Sequence, residues 1–233
     1  MIEFHDVQFR WHRDGPLLLD IPTFQVKTGQ RVFLEGPSGS GKTTLLNILG
    51  GIALPEKGSI EVNGTDITRL RGAARDAFRA DHIGIIFQMF NLIPYLSPVD
   101  NIILPCRFSK RRDAAARKKS NSAKEEARRL LNQMQLDKSA DINSPAFELS
   151  IGQQQRVAAA RSLIGSPALI IADEPTSALD NEIRQIFINL LFNEVADAEA
   201  TLLFVSHDSS LAGYFDRCIK LPALNEANKS DTY

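Results

Sequence analysis

Eight residues near the start of the chain, Gly36-Pro37-Ser38-Gly39-Ser40-Gly41-Lys42-Thr43, constrain its fold more than any other stretch. They follow the apolar run Val32-Phe33-Leu34 and precede Leu45, Leu46, Ile48 and Leu49, so the glycines fall at a strand-to-helix turn. In that context the pattern G-x-x-x-x-G-K-[ST] turns successive backbone N–H groups inward as a nest for an anion. The helix that starts after Gly41 adds the positive end of its dipole, and Lys42 adds a full charge beside the outer phosphates of a triphosphate. The Thr43 hydroxyl is a candidate ligand for Mg²⁺, and Thr44 completes the stretch assigned to phosphate.

A second segment fits the first. Ala168-Leu169-Ile170-Ile171-Ala172 is wholly apolar and ends in Asp173-Glu174-Pro175, which predicts a buried parallel strand with two carboxylates at its carboxyl end, where ligands bind in such sheets. Asp173 is placed to join Thr43 in the Mg²⁺ shell. Glu174 is placed to orient, or take a proton from, the water that attacks a γ-phosphate. A solvated acidic turn would explain neither the apolar run nor its pairing with the glycine loop.

The third segment is Leu149-Ser150-Ile151-Gly152-Gln153-Gln154-Gln155-Arg156. Ser150 can cap a helix running through Val157, Ala160 and Ile164 to Gly165, leaving N–H groups and a dipole aimed at an anion. The first loop already serves one triphosphate, so a second anion site suggests service to a partner's. A plain helix cap would explain Ser150 but not the glutamine run. This octapeptide and the order of the other motifs resemble the signature of ATP-binding cassette (ABC) ATPases over nearly the whole chain. The resemblance implies an α/β fold: a P-loop NTPase of the ABC type, with a RecA-like core, an antiparallel β subdomain and a helical subdomain. It implies ATP and Mg²⁺ as ligands, ATP hydrolysis, and an ATP-dependent homodimer. In that dimer Ser150, Gly152 and Gln153 of one copy close over the ATP held by the other's loop.

Further positions carry over one at a time. Gln88, after the apolar run Ile83-Gly84-Ile85-Ile86-Phe87, resembles the glutamine that joins the metal and water shell and hinges the helical lobe; otherwise it is a polar residue at a loop edge. Asp180, in Ser177-Ala178-Leu179-Asp180, resembles the loop that crosses to the other protomer, and it can equally cap the helix bearing Ile183, Ile186, Phe187 and Leu190. His207 follows Thr201-Leu202-Leu203-Phe204-Val205 and resembles the switch histidine that touches the γ-phosphate. For the adenine, Phe9 and Trp11 lie on one side of an alternating stretch with Val7, and Trp11 is the preferred platform.

The chain is expected to be one ABC ATPase domain over residues 1–221, with the helical subdomain at about 89–162 inserted in the core. Alternating segments before the glycine loop, and Ser59-Ile60-Glu61-Val62 ending in Asn63-Gly64, predict an antiparallel sheet with a hairpin turn. Ser122 and Glu125 predict a capping box ahead of Ala127, Leu130, Leu131 and Met134. Residues 222–233 form a short, polar, unpatterned tail expected to fray.

At 233 residues and 43% hydrophobic content the chain can bury a core unaided. Its two cysteines, Cys106 and Cys218, sit far apart in no metal spacing, which points to a reducing compartment. No apolar stretch reaches membrane-span length, and Met1-Ile2-Glu3-Phe4 opens into a strand pattern without a signal peptide. Any pore therefore belongs to integral membrane permease subunits, which would hold the chain peripherally on the cytoplasmic face of the inner membrane. A net charge of −1 gives no overall footprint for nucleic acid, and no nucleic-acid partner is expected.

Charge is nonetheless uneven. From Lys110 to Arg129 there are nine Lys or Arg against three acidic residues, which reads as a solvated linker or as attraction to anionic lipid or to a partner's face. Within the ABC family, Leu45–Gly51, Gly84–Pro94 and Asn101-Ile102 look most like the lipoprotein-release and macrolide-export ATPases. By that analogy Phe90–Asp100 forms much of the groove for a permease's coupling helix, with Leu92, Ile93, Tyr95 and Leu96 as contacts or as core. Ser177-Ala178 stands where that group has Gly-Asn, and Ile151 replaces the first signature glycine, so position 151 must take ordinary geometry. Three functions stay open: a motor for export or extraction of a lipid-linked or amphiphilic substrate, a drive for a membrane partner that regulates an envelope enzyme without transport, and a nucleic-acid or translation ATPase.

Overall fold

The computed structural model describes residues 1–136, 143–177, 179 and 181–227, in two compact units: Met1–Arg79 with Thr201–Tyr233, and Ala80–Ala200. In chain order the elements are β1 (Ile2–Phe9), β2 (Leu19–Val26), β3 (Arg31–Glu35), α1 (Lys42–Leu49), β4 (Lys57–Val62), β5 (Thr65–Asp66) and α2 (Gly72–His82). There follow β6 (Ile83–Ile86), α3 (Pro98–Phe108), α4 (Lys110–Ser120), α5 (Ala123–Gln133), α6 (Ile151–Leu163), β7 (Leu169–Asp173) and α7 (Asn181–Asp197). The chain closes with β8 (Thr201–Ser206), β9 (Arg217–Lys220) and α8 (Leu221–Leu224).

In the first unit an antiparallel sheet runs β2-β1-β4-β5. Strand β1 buries Ile2 and Phe4, then Val7 and Phe9; the phase resets at Asp6, which has a φ of 49° and lies where the pairing with β4 slips. Asn63 and Gly64, at φ 50° and 74°, make the expected hairpin between β4 and β5. Strand β3 pairs parallel with β8 on one side and β9 on the other, which is why Val32, Phe33 and Leu34 are all buried rather than alternating. Each such buried aliphatic or aromatic side chain stabilises the fold by about 2 kcal/mol.

The tail does not fray as far as residue 227. Asn225 is buried, accepts from the Asp20 N–H at 2.8 Å and donates to the Leu18 carbonyl at 2.9 Å, and the Glu226 N–H donates to Asp20. This makes 225–226 a backbone-level partner for the start of β2, a tie that no apolar pattern announces.

In the second unit β6 and β7 pair parallel, with Ile86 opposite Ala172. Ser122 caps α5 by accepting from the Glu125 N–H, and Ala127, Leu130, Leu131 and Met134 are buried as the helical spacing predicts. Helix α6 is buried along Val157–Ala160 and at Leu163 because it packs on β6, α3, α5 and α7. Its carboxyl end is closed by a residue of another helix: buried Arg112 donates to the carbonyls of Ile164 at 2.7 Å and Ser162 at 2.6 Å. Gly165, at φ 71°, lets α4 come that close, since a Cβ there would lie 2.5 Å from Arg112. Arg129 joins α5 to α7 by bonding two buried carboxylates, Glu126 and Glu194, and their hydrogen bonds hold its guanidinium pKa above the usual value. Cys106 is buried and Cys218 exposed, and both are free thiols.

Candidate functional site

Helix α1 starts at Lys42 with Gly41 as its N-cap, at φ 94°, and no side chain caps it. A Cβ on Gly41 would press on Leu19 at 2.9 Å, so the position is closed to other residues on two counts. The Lys42 ammonium is buried in the loop, donating to the carbonyls of Gly36 at 2.6 Å and Pro37 at 3.0 Å. The Ser40 hydroxyl is buried without a hydrogen-bond partner among the described residues. An uncapped helix start, an inward ammonium and an orphaned hydroxyl fit an anionic ligand with several oxygens. Thr43 is exposed in the first turn, and Thr44 is buried beneath it.

His207 leaves the carboxyl end of β8. With Glu35, Gly36, Pro37 and Lys220 it lines a cavity of about 540 Å³, so the histidine and the opening of the glycine loop share one space. Trp11 lies past the end of β1 and is 58% exposed, with its ring edge-to-face on buried Phe9 at 4.9 Å between centroids. Only Trp11 of the two has a face open to a planar ligand.

In the second unit β7 is buried throughout and ends in Asp173 and Glu174, themselves buried. Glu174 takes a φ of 47°, a left-handed conformation held by Ser177, whose N–H and hydroxyl both donate to the Glu174 carbonyl, at 3.2 and 3.0 Å. A non-glycine residue there carries strain of about 1 kcal/mol or more, of the kind found at working sites. Gln88 is exposed two positions past β6, and the parallel register brings it to the same strand ends as Asp173.

Ser150 caps α6, accepting from the Gln153 N–H at 3.3 Å, while the Gln153 side chain accepts from the Ser150 N–H at 2.8 Å. Gln153 is thus bound back to its own turn, a reciprocal cap that the serine–glutamine spacing could have announced. Ile151 is helical, as its side chain requires. Among the described residues a Cβ on Gly152 would meet only Leu179, at 3.6 Å, so their packing does not demand glycine. Asp180 and Ala178 lie outside the described residues.

Two residues that sequence patterns did not single out organise the loop after Gln88. Phe90 and Asn91 have φ of 59° and 49°, and Arg161 of α6 donates to both carbonyls, at 2.5 and 2.6 Å. Asn101 of α3, fully buried, accepts from the Ile93 N–H at 2.8 Å and donates to the carbonyls of Ile93, Leu96 and Ser97. That loop exposes Tyr95 while leaving Leu92, Ile93 and Leu96 half-buried; Phe147, also exposed, is tied to it through the Pro94 carbonyl.

A glycine loop feeding an uncapped helix, a buried strand ending in paired carboxylates and a capped signature helix are the parts of an ATP-binding cassette. The chain belongs to the ABC transporter family, whose sequence profile matches residues 19–177. It is 40% identical over 206 residues to an uncharacterized ABC transporter ATP-binding protein of Mycobacterium tuberculosis, covering 88% of this chain and 59% of that one. It is 36% identical over 217 residues to the lipoprotein-releasing system ATP-binding protein LolD of Chromohalobacter salexigens, covering 91% and 87%. Its fold matches the dimeric structure of the ATP-binding cassette MJ0796 in a post-hydrolysis state, bound to ADP and Pi, with a TM-score of 0.83, 33% identity and coverage of 97% and 95%.

Proposed function

We propose that the chain is the ATP-binding and ATP-hydrolysing motor of an ABC transporter, acting as a homodimer that ATP draws together head to tail. The observation that carries this reading is the end of β7, where an apolar strand delivers two buried carboxylates and sets the second in a left-handed, strained conformation. Gly36 to Thr44 cradle the phosphates, Lys42 moves from the loop carbonyls toward the outer two, and Trp11 stacks on adenine. Thr43, Asp173 and Gln88 hold Mg²⁺, which when bound neutralises charge on the outer phosphates. Glu174 orients the attacking water and accepts its proton, and His207 contacts the γ-phosphate. Ser150, Gly152, Gln153 and Asp180 of the opposite copy complete the site. The space left at Gly152 supports this, because its glycine then serves an approach from outside the chain.

Residues 89–162 serve as the helical lobe, and exposed Met89, Tyr95 and Phe147 offer apolar contacts for a permease subunit at the cytoplasmic face of the inner membrane. The likeness to a lipoprotein-releasing ATPase supports a lipid-linked or amphiphilic cargo for that permease. Phosphate release by the purified chain with Mg²⁺ and ATP tests the motor. Glu174→Gln is expected to bind ATP normally and to lose about 100-fold or more in turnover, and Lys42→Ala to weaken nucleotide binding itself. Turnover at the parental rate in the Glu174 variant would remove the base from its role.

A further inference from the structure

The exposed face of α4 belongs to no step of the nucleotide cycle. Arg112 and Ala116 point it inward, so the helical repeat places Lys110, Arg111, Ala114, Arg117 and Lys118 on the opposite arc, and all five are exposed. Phe108, the last residue of α3 and two positions before Lys110, is 78% exposed and has the cations Arg107 and Lys110 close to it in sequence. Beside this arc a groove of about 270 Å³ is lined by buried Ile103 and Cys106, by the cations Arg107, Arg117 and Lys124, and by one carboxylate, Asp113. Among the described residues Arg117 alone of these cations has an ion pair, with Asp113 at 2.7 Å.

We propose that this face docks on the anionic headgroups of a lipid bilayer. Charge complementarity supplies the attraction, since clustered Lys and Arg beside an anionic membrane each strengthen binding by about fivefold. The exposed phenylalanine selects a bilayer over a soluble polyanion: an aromatic ring set among cations is what an interfacial anchor presents to the acyl boundary, and a polyanion in solution gives it nothing to enter. A groove lined by apolar side chains and by more cations than carboxylates suits a phosphodiester with its glycerol end turned inward. The inference rests on none of the nucleotide chemistry.

Co-sedimentation of the full-length chain with vesicles tests it. The parent chain is expected to bind phosphatidylcholine vesicles containing about one-third phosphatidylglycerol, to ignore pure phosphatidylcholine, and to release as salt is raised toward about 0.5 M. Changing Lys110, Arg111, Arg117 and Lys118 together to Gln should weaken binding by about 600-fold, and Phe108→Ser alone by about tenfold. Changing Arg13, Lys27, Lys57 and Arg69 to Gln makes the same change in net charge elsewhere and should leave binding within about twofold. Melting curves and phosphate release on the same samples separate loss of docking from loss of fold or of the motor. Equal binding to neutral vesicles, equal loss in the charge-matched control, or unchanged binding in the α4 variant overturns the proposal. Binding only to membranes that carry a permease overturns it in favour of a protein partner, and capture of polyphosphate or nucleic acid without vesicle binding in favour of a soluble polyanion.

Discussion

Glu174, the proposed base, shows what such a role would cost the fold. Its backbone sits at φ 47°, where a side chain crowds its own carbonyl, and its carboxylate is buried, two burdens that a residue chosen for packing would not carry together. Glu174→Gly should therefore raise stability by about 1 kcal/mol, a shift of a few degrees in melting temperature, while abolishing turnover. A lower melting temperature in that variant would mean that the left-handed turn is favourable as it stands. Glu174 was legible in the sequence for the same reason that it is strained. In the proposed role its place would be fixed by the chemistry of a phosphate and a water, and in the sequence it follows its apolar strand directly. Trp11 was less legible, because alternation placed it with Phe9, whereas the strand stops at Phe9 and frees the indole.

Among elements, α6 joins the signature to the loop that carries Gln88, and four side chains set how firmly. Arg112 closes its carboxyl end, Arg161 holds the carbonyls of Phe90 and Asn91, and Ser150 with Gln153 closes its start. Burial lowers the pKa of Arg112 to about 10, which still leaves it charged at neutral pH, so its guanidinium is held by carbonyl dipoles in place of a carboxylate. Arg112→Met should cost about 3 kcal/mol in denaturant unfolding, since it leaves two buried carbonyls without that donor, and Arg112→Lys should cost less. Arg161→Ala should lower kcat several-fold with ATP affinity nearly unchanged, because the loop bearing Gln88 loses its register to α6 while the glycine loop is untouched. Arg161→Lys should restore part of the rate, and an equal fall in affinity would deny Arg161 this positioning role. The ties made by Arg112 and Arg161 were not readable beforehand, since both act on backbone carbonyls distant in sequence and a carbonyl has no residue identity for a motif to record. The caps at Ser122 and Ser150 were readable because donor and acceptor lie three residues apart.

At the scale of the molecule, each unit holds a different share of the chemistry. The first carries the glycine loop, His207 and Trp11; the second carries Asp173, Glu174, Gln88 and the signature helix. The signature helix has a capped start, and in the proposed head-to-tail pair a second copy would bring the anion that it serves. Bound ATP would then hold two copies together until the phosphate bond is broken. Sedimentation equilibrium of the Glu174→Gln chain at saturating Mg²⁺ and ATP measures this directly. Twice the 25.8 kDa mass of one chain is expected, falling back to the single mass when ATP is replaced by ADP. A single-chain mass under conditions where filter binding shows the nucleotide bound would contradict it.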